Sequence, residues 1–245
     1  MIVKRMVESL RRQDWTMVAI EFMLVVVGVL LGFQINDWGA ERSQAAVRHE
    51  ASERLLEEAE RDVAYIRQAT DYERHNVETL RSLLLGEAVA LRPAGDGSPL
   101  SERLVSVRSM VALAPPSSVY DDIVSSGELS RIGNEEVRAA VGRFRSTLSF
   151  EERMRLQLQT ILPAYERLDA FNYRLDPNGR LAVDVDFAAI DRDKDARKII
   201  AIAAENHRIL LMLRTRALRD SEGMCLALGS VVGRPCNLRL PPPKF

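Results

Sequence analysis

The sequence has 245 residues, of which 47% are hydrophobic and 28% charged, a balance typical of a globular protein and not of a disordered chain. Its formal net charge of −1 argues against a general electrostatic attraction to nucleic acid or anionic lipid. With one apolar segment set aside, the remaining length suits one domain of ordinary size, and the scarcity of strand-like alternation favours a helical domain.

The most apolar stretch lies between Trp15 and Trp38, the two tryptophans of the chain. From Thr16 to Ile35 it carries one charge, Glu21, and about twenty such residues form a helix long enough to cross a hydrocarbon core. Tryptophans are enriched at both membrane–water interfaces. A cleaved signal peptide is the competing interpretation, but its apolar run is shorter, about 7–15 residues, and ends in a small-residue cleavage site. We therefore predict an uncleaved signal anchor over residues 15–38.

Positive charge flanks this stretch on its amino-terminal side, at Lys4, Arg5, Arg11 and Arg12. Basic residues near the end of a span stay in the cytoplasm. We expect residues 1–14 to be cytoplasmic and the rest to lie outside. In a bacterium this describes a single-pass inner-membrane protein with a periplasmic domain.

Gly28 and Gly32 form a G-x-x-x-G pair, which lets two helices approach closely in lipid. Glu21 falls on the same helical face, and an ionisable group within a span usually faces protein or water. Two alternatives remain open: glycine is simply common in membrane helices, and the Glu21 side chain reaches back to the cytoplasmic interface. The predicted partners are thus the lipid bilayer and, through this face, a second copy or another membrane protein; no nucleic acid is expected.

Residues 39–222 are expected to form a helical periplasmic domain. The fold class is mainly α: the span continues into a long stem helix to about Leu85, followed by an elongated antiparallel helical bundle. Apolar positions recur at steps of three or four along the stem, at Val47, Ala51, Leu55, Ala59, Val63, Ile66, Thr70, Val77, Leu80 and Leu84. His49 and His75 are expected on its solvent face.

Turn residues then mark a loop over residues 92–98, and Ser98-Pro99 has the pattern of a helix start. The helix that follows carries Leu104, Val107 and Val111 and should stop at Pro115-Pro116.

Ser118 and Asp121 have the spacing of a capping box, predicting a short helix that Gly127 ends. Asn134 should cap the next helix, whose apolar stripe runs from Val137 to Leu168 with a bend at Pro163.

Residues 176–179 form a strong turn, after which the alternation from Leu181 to Phe187 predicts a short strand or, with residues 173–175, a minor β-hairpin. The last helix should run from about Asp193 to Asp220. It is too polar around residues 205–208 for a second span, and His207 on its apolar face should be buried and hydrogen-bonded.

Residues 223–245 contain several glycines and prolines and are predicted to be an irregular C-terminal segment. Cys225 and Cys236 lie there, eleven residues apart, and form a disulfide candidate in an oxidising compartment. In a cytoplasmic protein they would instead be two unrelated buried thiols. Without a histidine between them they make a poor zinc site.

Two groups of polar residues were weighed as functional sites. The first is a group of aspartates that suggests a calcium site: Asp184, Asp186, Asp191, Asp193 and Asp195. An EF-hand loop that begins at Asp191 requires glycine at its sixth position and glutamate at its twelfth, but the sequence has Ala196 and Ile202 there. We therefore expect these aspartates to lie in loops and at helix starts. The second group is Asp121, Asp122, Ser125 and Ser126. Hydrolases use these types of residue in catalysis, but the sequence contains none of the hydrolase motifs. We therefore predict no enzyme, no catalytic residue, no cofactor and no metal.

The opening RRQDWTMVAIEFMLVVVGVLLGFQINDW and the later YDDIVSSGELSRIGNEEVRAAV resemble a widespread group of bacterial single-pass membrane proteins of unknown function. The group has such an anchor ending in Q-x-x-x-W and a Y-D-x-L-x-x-S-G-x-L-like segment. The matching positions of that segment here are Tyr120, Asp121, Ser126, Gly127 and Leu129, with Ile123 where leucine is more usual. The resemblance covers about fifty residues, implies the anchor and the helical domain, and brings no activity with it.

Three functions follow as hypotheses. The first is a non-enzymatic scaffold or accessory subunit of an inner-membrane or envelope complex. The second is a periplasmic ligand-sensing module that signals through a partner membrane protein. The third is a hydrolase built on Ser125 or Ser126.

Overall fold

The computed structural model describes residues 15–86, 110–160 and 185–241, together with residues 168, 171, 173–175, 178 and 181–183. Contacts within the chain define two units, Met1–Glu50 and Ala51–Phe245. The described part is mainly helical, as predicted. The predicted cytoplasmic residues 1–14, the loop at 92–98, the helix start at Ser98 and the bend at Pro163 lie outside the described residues.

The first element, α1, is a helix of 70 residues, Trp15–Leu84. It runs without a break through the stretches predicted as span and stem. Within the part of the chain that the structure describes, no helix combines the length and the apolar character needed to cross a membrane.

A short helix, α2, spans Ser118–Ser125 and is followed by a 3₁₀ turn, Glu128–Arg131, and a long helix, α3, Glu135–Thr160. Gly127 lies between the first two with a φ of 72°, a left-handed conformation that glycine adopts without steric cost. The oxygen Oδ1 of Asn134 accepts a hydrogen bond from the backbone N–H of Val137 at 2.9 Å. Both predicted helix boundaries, at Gly127 and Asn134, are confirmed.

Strands β1, Tyr173–Leu175, and β2, Leu181–Val183, pair antiparallel, with Tyr173 opposite Val183. Two helices follow, α4, Phe187–Arg192, and α5, Lys194–Val232. The strand pattern predicted to Phe187 is wrong at its end, because α4 begins there. Asp186 and Asp193 accept hydrogen bonds from backbone N–H groups in the first turns of α4 and α5, so they are helix-start aspartates as predicted.

The helix predicted to stop at Pro115-Pro116 is wrong from residue 110 to that stop, because residues 110–117 have no regular secondary structure. Two adjacent prolines remove backbone donors and disfavour helical geometry in the residue before each of them. The carbonyl oxygens of this segment are instead satisfied by side chains: Arg155 and Gln159 donate to Met110 O, both at 3.2 Å, and Arg214 donates to Val111 O.

The boundary predicted for the last helix is also wrong, because α5 continues beyond Asp220 to Val232. Residues 223–232 are therefore helical and not irregular. Met224, Cys225 and Leu228 continue the buried stripe of the helix, which outweighs the low helix propensity of the glycines among them. Gly233, with a φ of 78°, ends the helix.

The Ala51–Phe245 unit has three groups of buried apolar side chains. The largest joins α1, α2, α3 and α5 around Leu56, Phe144 and Leu228. A second lies where α1 meets α4 and the start of α5, around Leu80, Ile190 and Ile200. A third is formed by Met110, Leu158 and Leu210, so the irregular segment contributes to the core.

Candidate functional site

Helix α1 buries four acidic side chains, Glu58, Glu60, Asp62 and Glu73, each at most 5% exposed. Buried carboxylates are costly unless they are paired or hydrogen-bonded. Three of these four hold a different part of the chain against α1, and the fourth, Asp62, does not. This set of acids is the main polar feature of the domain.

Glu73 belongs to a buried ionic network centred on Arg214 of α5, which is 1% exposed. Arg214 donates to Glu73 Oε2 at 3.1 Å and to Glu151 Oε1 of α3 at 3.3 Å. It also donates to the carbonyl oxygens of Ala69 and Val111. One side chain thus ties together α1, α3, α5 and the irregular segment, and its charge is balanced by carboxylates.

His207 lies in the same network, with no exposed surface and with Nδ1 hydrogen-bonded to Glu73 Oε1. The prediction of a buried, hydrogen-bonded histidine is confirmed. Burial raises the pKa of Glu151, and the Arg214 guanidinium beside it pulls that pKa back down.

A pocket of about 210 Å³ lies between α1 and the irregular segment, and Arg214 forms part of its lining. Its wall on α1 is one helical face, and Val111 and Ala112 form the other wall. The described residues of the lining are Tyr65, Gln68, Ala69, Tyr72, Val111, Ala112 and Arg214.

Glu58 holds the start of α2. Its carboxylate accepts hydrogen bonds from the backbone N–H groups of Val119 at 2.8 Å and Tyr120 at 3.1 Å. The capping box predicted at Ser118 and Asp121 is therefore wrong: the N-cap residue is Ser117, whose hydroxyl donates to Asp121 at 2.7 Å. A carboxylate 61 residues away satisfies the helix start, where the positive end of the helix dipole also favours it.

Arg145 of α3 covers the same corner. Its guanidinium lies 3.9 Å from the centroid of the Tyr120 ring and its Nη2 is 3.5 Å from Glu58 Oε1. Leu129 packs partly buried against the largest core group, and the Ser126 hydroxyl donates to Ile123 O at 3.1 Å. The Tyr120–Leu129 segment identified in the sequence is thus a tightly connected structural corner.

Asp62 lies one turn after Glu58 and is fully buried. Among the described residues, neither of its carboxylate oxygens has a hydrogen-bond partner, and Nε of Arg145 also lacks one. Desolvation raises the pKa of Asp62 to about 8, against the opposing pull of Arg145. Burial therefore favours the protonated form of Asp62 at pH 7.

In the part of the chain that the structure describes, the serines considered for hydrolysis donate to backbone carbonyl oxygens and not to a side-chain base. The Ser125 hydroxyl donates to the carbonyl oxygen of Asp122 at 3.0 Å, as that of Ser126 does to Ile123. Activation of a serine requires a general base at hydrogen-bond distance from its hydroxyl, a role that a peptide carbonyl oxygen cannot fill.

Glu60 fastens the C-terminal segment. Its carboxylate accepts from Arg234 Nη1 at 2.9 Å and from the backbone N–H of Asn237 at 2.8 Å. Cys225 and Cys236 form a disulfide with a Cα–Cα distance of 5.7 Å. Glu60 and the two sulfur atoms are the one group of described residues with metal-ligand spacing, but sulfurs bonded to each other are not available as thiolate ligands.

In the Met1–Glu50 unit, Gly28 and Gly32 are exposed, and a Cβ atom at either position would meet nothing within 4 Å. Trp38 is exposed and lies under the Arg42 guanidinium at 4.4 Å. The side chains of Glu21 and Trp15 lie outside the described residues, so the predicted interaction face and interface anchors stay predictions.

Sequence reasoning located His207, the cysteines and the Tyr120–Leu129 segment, but it missed the buried acids and Arg214. One signal was present for two of the acids: Glu58 and Asp62 lie at steps of three or four from the apolar positions Leu55 and Ile66, on the face predicted to be buried. Their partners are far away in sequence, and no local pattern connects them.

The fold and this set of buried ion pairs define a helical domain, Ala51–Phe245, in which charged side chains join the elements. The Met1–Glu50 unit contains exposed apolar side chains on α1. Comparisons with protein-family models, curated proteins and solved structures found no match to this chain.

Proposed function

We propose that this protein is a non-enzymatic, membrane-anchored scaffold or accessory subunit of an inner-membrane or envelope protein complex. The observation that carries the proposal is the exposure of the apolar side chains between residues 20 and 31 of α1. Phe22, for example, is 70% exposed and Leu24 67%. Farther along the same helix, Leu55, Leu56 and Ile66 are fully buried.

An apolar surface of this size requires a cover. The large exposed side chains of the segment are Ile20, Phe22, Met23, Leu24, Val25, Val27, Val29, Leu30 and Leu31. Burying such side chains is favourable by about 1.5–3 kcal/mol each, so transfer of the segment into lipid is favoured by on the order of 10 kcal/mol or more. The proposed signal anchor covers residues 15–38, with its apolar stretch at 16–35. The uninterrupted run of described side chains there covers residues 22–32, so the full length of the anchor is proposed from the sequence.

The basic residues before the span support an amino terminus in the cytoplasm and a domain in the periplasm. The disulfide between Cys225 and Cys236 supports the same orientation independently, because disulfides persist in oxidising compartments. The domain is proposed as an elongated antiparallel bundle on a stem that continues from the span.

The role as a scaffold is favoured over catalysis by what the ionisable side chains do. The carboxylates of Glu58, Glu60 and Glu73 each accept hydrogen bonds from another part of the domain. For the third hypothesis, a broad hydrolase screen on the purified protein should stay silent, and activity that a Ser125→Ala or Ser126→Ala variant loses would revive it.

The proposed partner contact is the helical face of Glu21, Gly28 and Gly32, with a second copy or another membrane protein. A second helix has room to approach α1 closely at both glycines, since nothing lies within 4 Å of a Cβ placed there.

Membrane attachment is tested by fractionation and by topology reporters. The full chain should stay in the membrane pellet after alkaline carbonate extraction, and a carboxyl-terminal alkaline phosphatase fusion should be active. A Leu24→Lys, Leu30→Lys double variant should be released, while a Val47→Lys, Val231→Lys control with exposed sites outside the span should not. A mature amino terminus near residue 40, or a reporter active only in the cytosol, would contradict the proposal.

The partner contact is tested by crosslinking in native membranes. A photoreactive residue at Leu24 or Leu31 should give defined crosslinked species that the Gly28→Ile, Gly32→Ile variant loses. A photoreactive residue at exposed Leu226 on α5 serves as the matched control. A protein extracted in mild detergent as a clean monomer with no crosslink would count against the scaffold role.

A second candidate function, a ligand-sensing module that signals through a partner membrane protein, is favoured by the pocket between α1 and the irregular segment. A saturable rise in thermal stability with an added ligand would support it.

A further inference from the structure

The pocket between α1 and residues 110–117 has the shape and chemistry of a small-molecule site. We propose that it binds an uncharged, planar aromatic molecule of one or two rings. This inference goes beyond the scaffold function and does not depend on the membrane anchor, because every lining residue belongs to the Ala51–Phe245 unit.

The shape follows from the spacing of the residues on α1. Tyr65 and Tyr72 lie seven residues apart on one face, so their attachment points are separated by about 10 Å along the helix. Ala69 stands between them, and its short side chain leaves a gap that the rings border. The volume of about 210 Å³ exceeds the roughly 150 Å³ of an apolar cavity known to hold benzene.

We infer an uncharged ligand because the positive charge of Arg214 is already paired with carboxylates. Among the described lining residues this guanidinium is the one charged group, and Glu73 and Glu151 already balance it at 3.1 and 3.3 Å. A charged ligand would lose hydration without gaining an unpaired charge to compensate. An uncharged ligand avoids that loss.

The aromatic character follows from the walls. Two tyrosine rings and the aliphatic side chains of Val111, Ala69 and Ala112 surround the space. Flat rings make favourable offset or edge-to-face contacts with tyrosine. Gln68 adds an amide at the edge, which accepts from or donates to one polar group of the ligand, such as a ring N–H or hydroxyl.

The pocket is formed before any ligand enters, because the carbonyl groups beside it are held in place. Arg155 and Gln159 hold Met110 O, and Arg214 holds Val111 O. Even so, Val111 remains 53% exposed and Tyr72 39% exposed, so the rim presents apolar surface that a ligand would cover.

The test uses the full chain in lipid nanodiscs with indole as the probe, followed by ligand-observed NMR and by thermal stability. Val111→Trp should fill the pocket while keeping the backbone carbonyl that Arg214 binds, and Tyr72→Ala should remove one wall. Phe150→Ala is the matched control, since it removes an exposed aromatic ring from α3 outside the pocket. Empty nanodiscs measure partition of indole into lipid, and circular dichroism checks the fold of each variant.

We expect saturable binding of indole that weakens at least tenfold in Val111→Trp and in Tyr72→Ala and is unchanged in Phe150→Ala. Benzoate, a single ring with a charge, should bind at least tenfold more weakly than indole. Absence of saturable indole binding beyond empty nanodiscs would overturn the proposal. So would equal binding by folded wild type and Val111→Trp, equal loss in Phe150→Ala, or tighter binding of benzoate.

Discussion

Asp62 shows how a single buried side chain can oppose the stability of the domain it belongs to. It is fully buried, its oxygens have no hydrogen-bond partner among the described residues, and burial raises its pKa to about 8. The neighbouring Glu58 raises this pKa further, and Arg145 lowers it without forming a hydrogen bond to Asp62. The domain therefore keeps a protonated acid in its interior near neutral pH.

Asp62→Asn should raise the free energy of unfolding at pH 7 and flatten its dependence on pH. Between the ordinary pKa of 3.8 and the folded value of about 8, the folded state binds a proton that the unfolded state has lost. Stability from this site is thus greatest below about pH 4 and falls as pH rises towards 8. At pH 7 the gain is at most on the order of 4 kcal/mol, measured by urea unfolding in mild detergent at several pH values.

The matched control for this experiment is Asp122→Asn, because the Asp122 side chain is 74% exposed. It should leave both the stability and its pH dependence unchanged within about 0.5 kcal/mol. If the pH dependence of wild type persists in Asp62→Asn, Asp62 is not its source.

At the scale of single elements, α2 depends on a residue of α1. Eight residues are too few for a stable isolated helix, and its first N–H groups are satisfied by Glu58. The corner that carries Tyr120, Gly127 and Leu129 is therefore held by a tertiary hydrogen bond as well as by its own sequence.

Glu58→Ala should cost about 1–2 kcal/mol, since it leaves the Val119 and Tyr120 N–H groups without their acceptor. Hydrogen exchange at these two amides should accelerate in the variant, more than exchange in α3. Glu57→Ala, which changes the exposed neighbouring position, is the control and should affect neither measurement. Unchanged exchange at both amides in Glu58→Ala would contradict the capping role.

The glycines of α5 illustrate a second effect of packing on an element. A Cβ atom on Gly229 would lie 2.7 Å from Arg234 O and 3.1 Å from Cys236 N, both backbone atoms. A Cβ atom on Gly223 would meet nothing within 4 Å. One glycine is needed for the close approach of the C-terminal segment, and the other is not.

Gly223→Ala should therefore stabilise the protein by about 0.5–1 kcal/mol through helix propensity. Gly229→Ala should destabilise it by about 1–3 kcal/mol, because the C-terminal segment must shift away from the helix. The pair of variants in one helix separates propensity from packing when both are compared by thermal unfolding. Equal changes in both would show that the close approach at Gly229 does not matter.

At the scale of the whole molecule, the C-terminal segment is attached to the domain by a covalent bond, an ion pair and hydrogen bonds. The disulfide joins two cysteines eleven positions apart, Glu60 binds Arg234 and Asn237, and Arg67 binds the carbonyl oxygen of Leu238. These contacts return the end of the chain to α1.

Cys225→Ser, Cys236→Ser should lower the free energy of unfolding by about 3 kcal/mol, the chain-entropy value for a loop of this length. Wild-type protein treated with a dithiol reductant should show the same loss, and the reductant should not change the double variant. A wild-type protein insensitive to reductant would show that the bond does not stabilise the domain.

Some elements were predictable because their signals are local. Asn134 and Asp193 cap helices through side chains that bond within three residues, and Gly127 ends a helix by its own backbone conformation. Where a distant partner intervened, local prediction failed: the start of α2 depends on Glu58, and the carbonyls of residues 110–117 depend on Arg155 and Arg214.

The sequence by itself determined the helical class, several helix boundaries, the burial of His207 and the apolar segment near the amino terminus, because each follows from periodicity, caps or composition over a few neighbouring residues. Only the tertiary structure decided which acids are buried, how Arg214 joins three helices, and where the pocket lies. The reason is physical: a buried charge is tolerated only if a partner reaches it, and here Glu73, Glu151 and Arg214 are 63 residues or more apart in the chain.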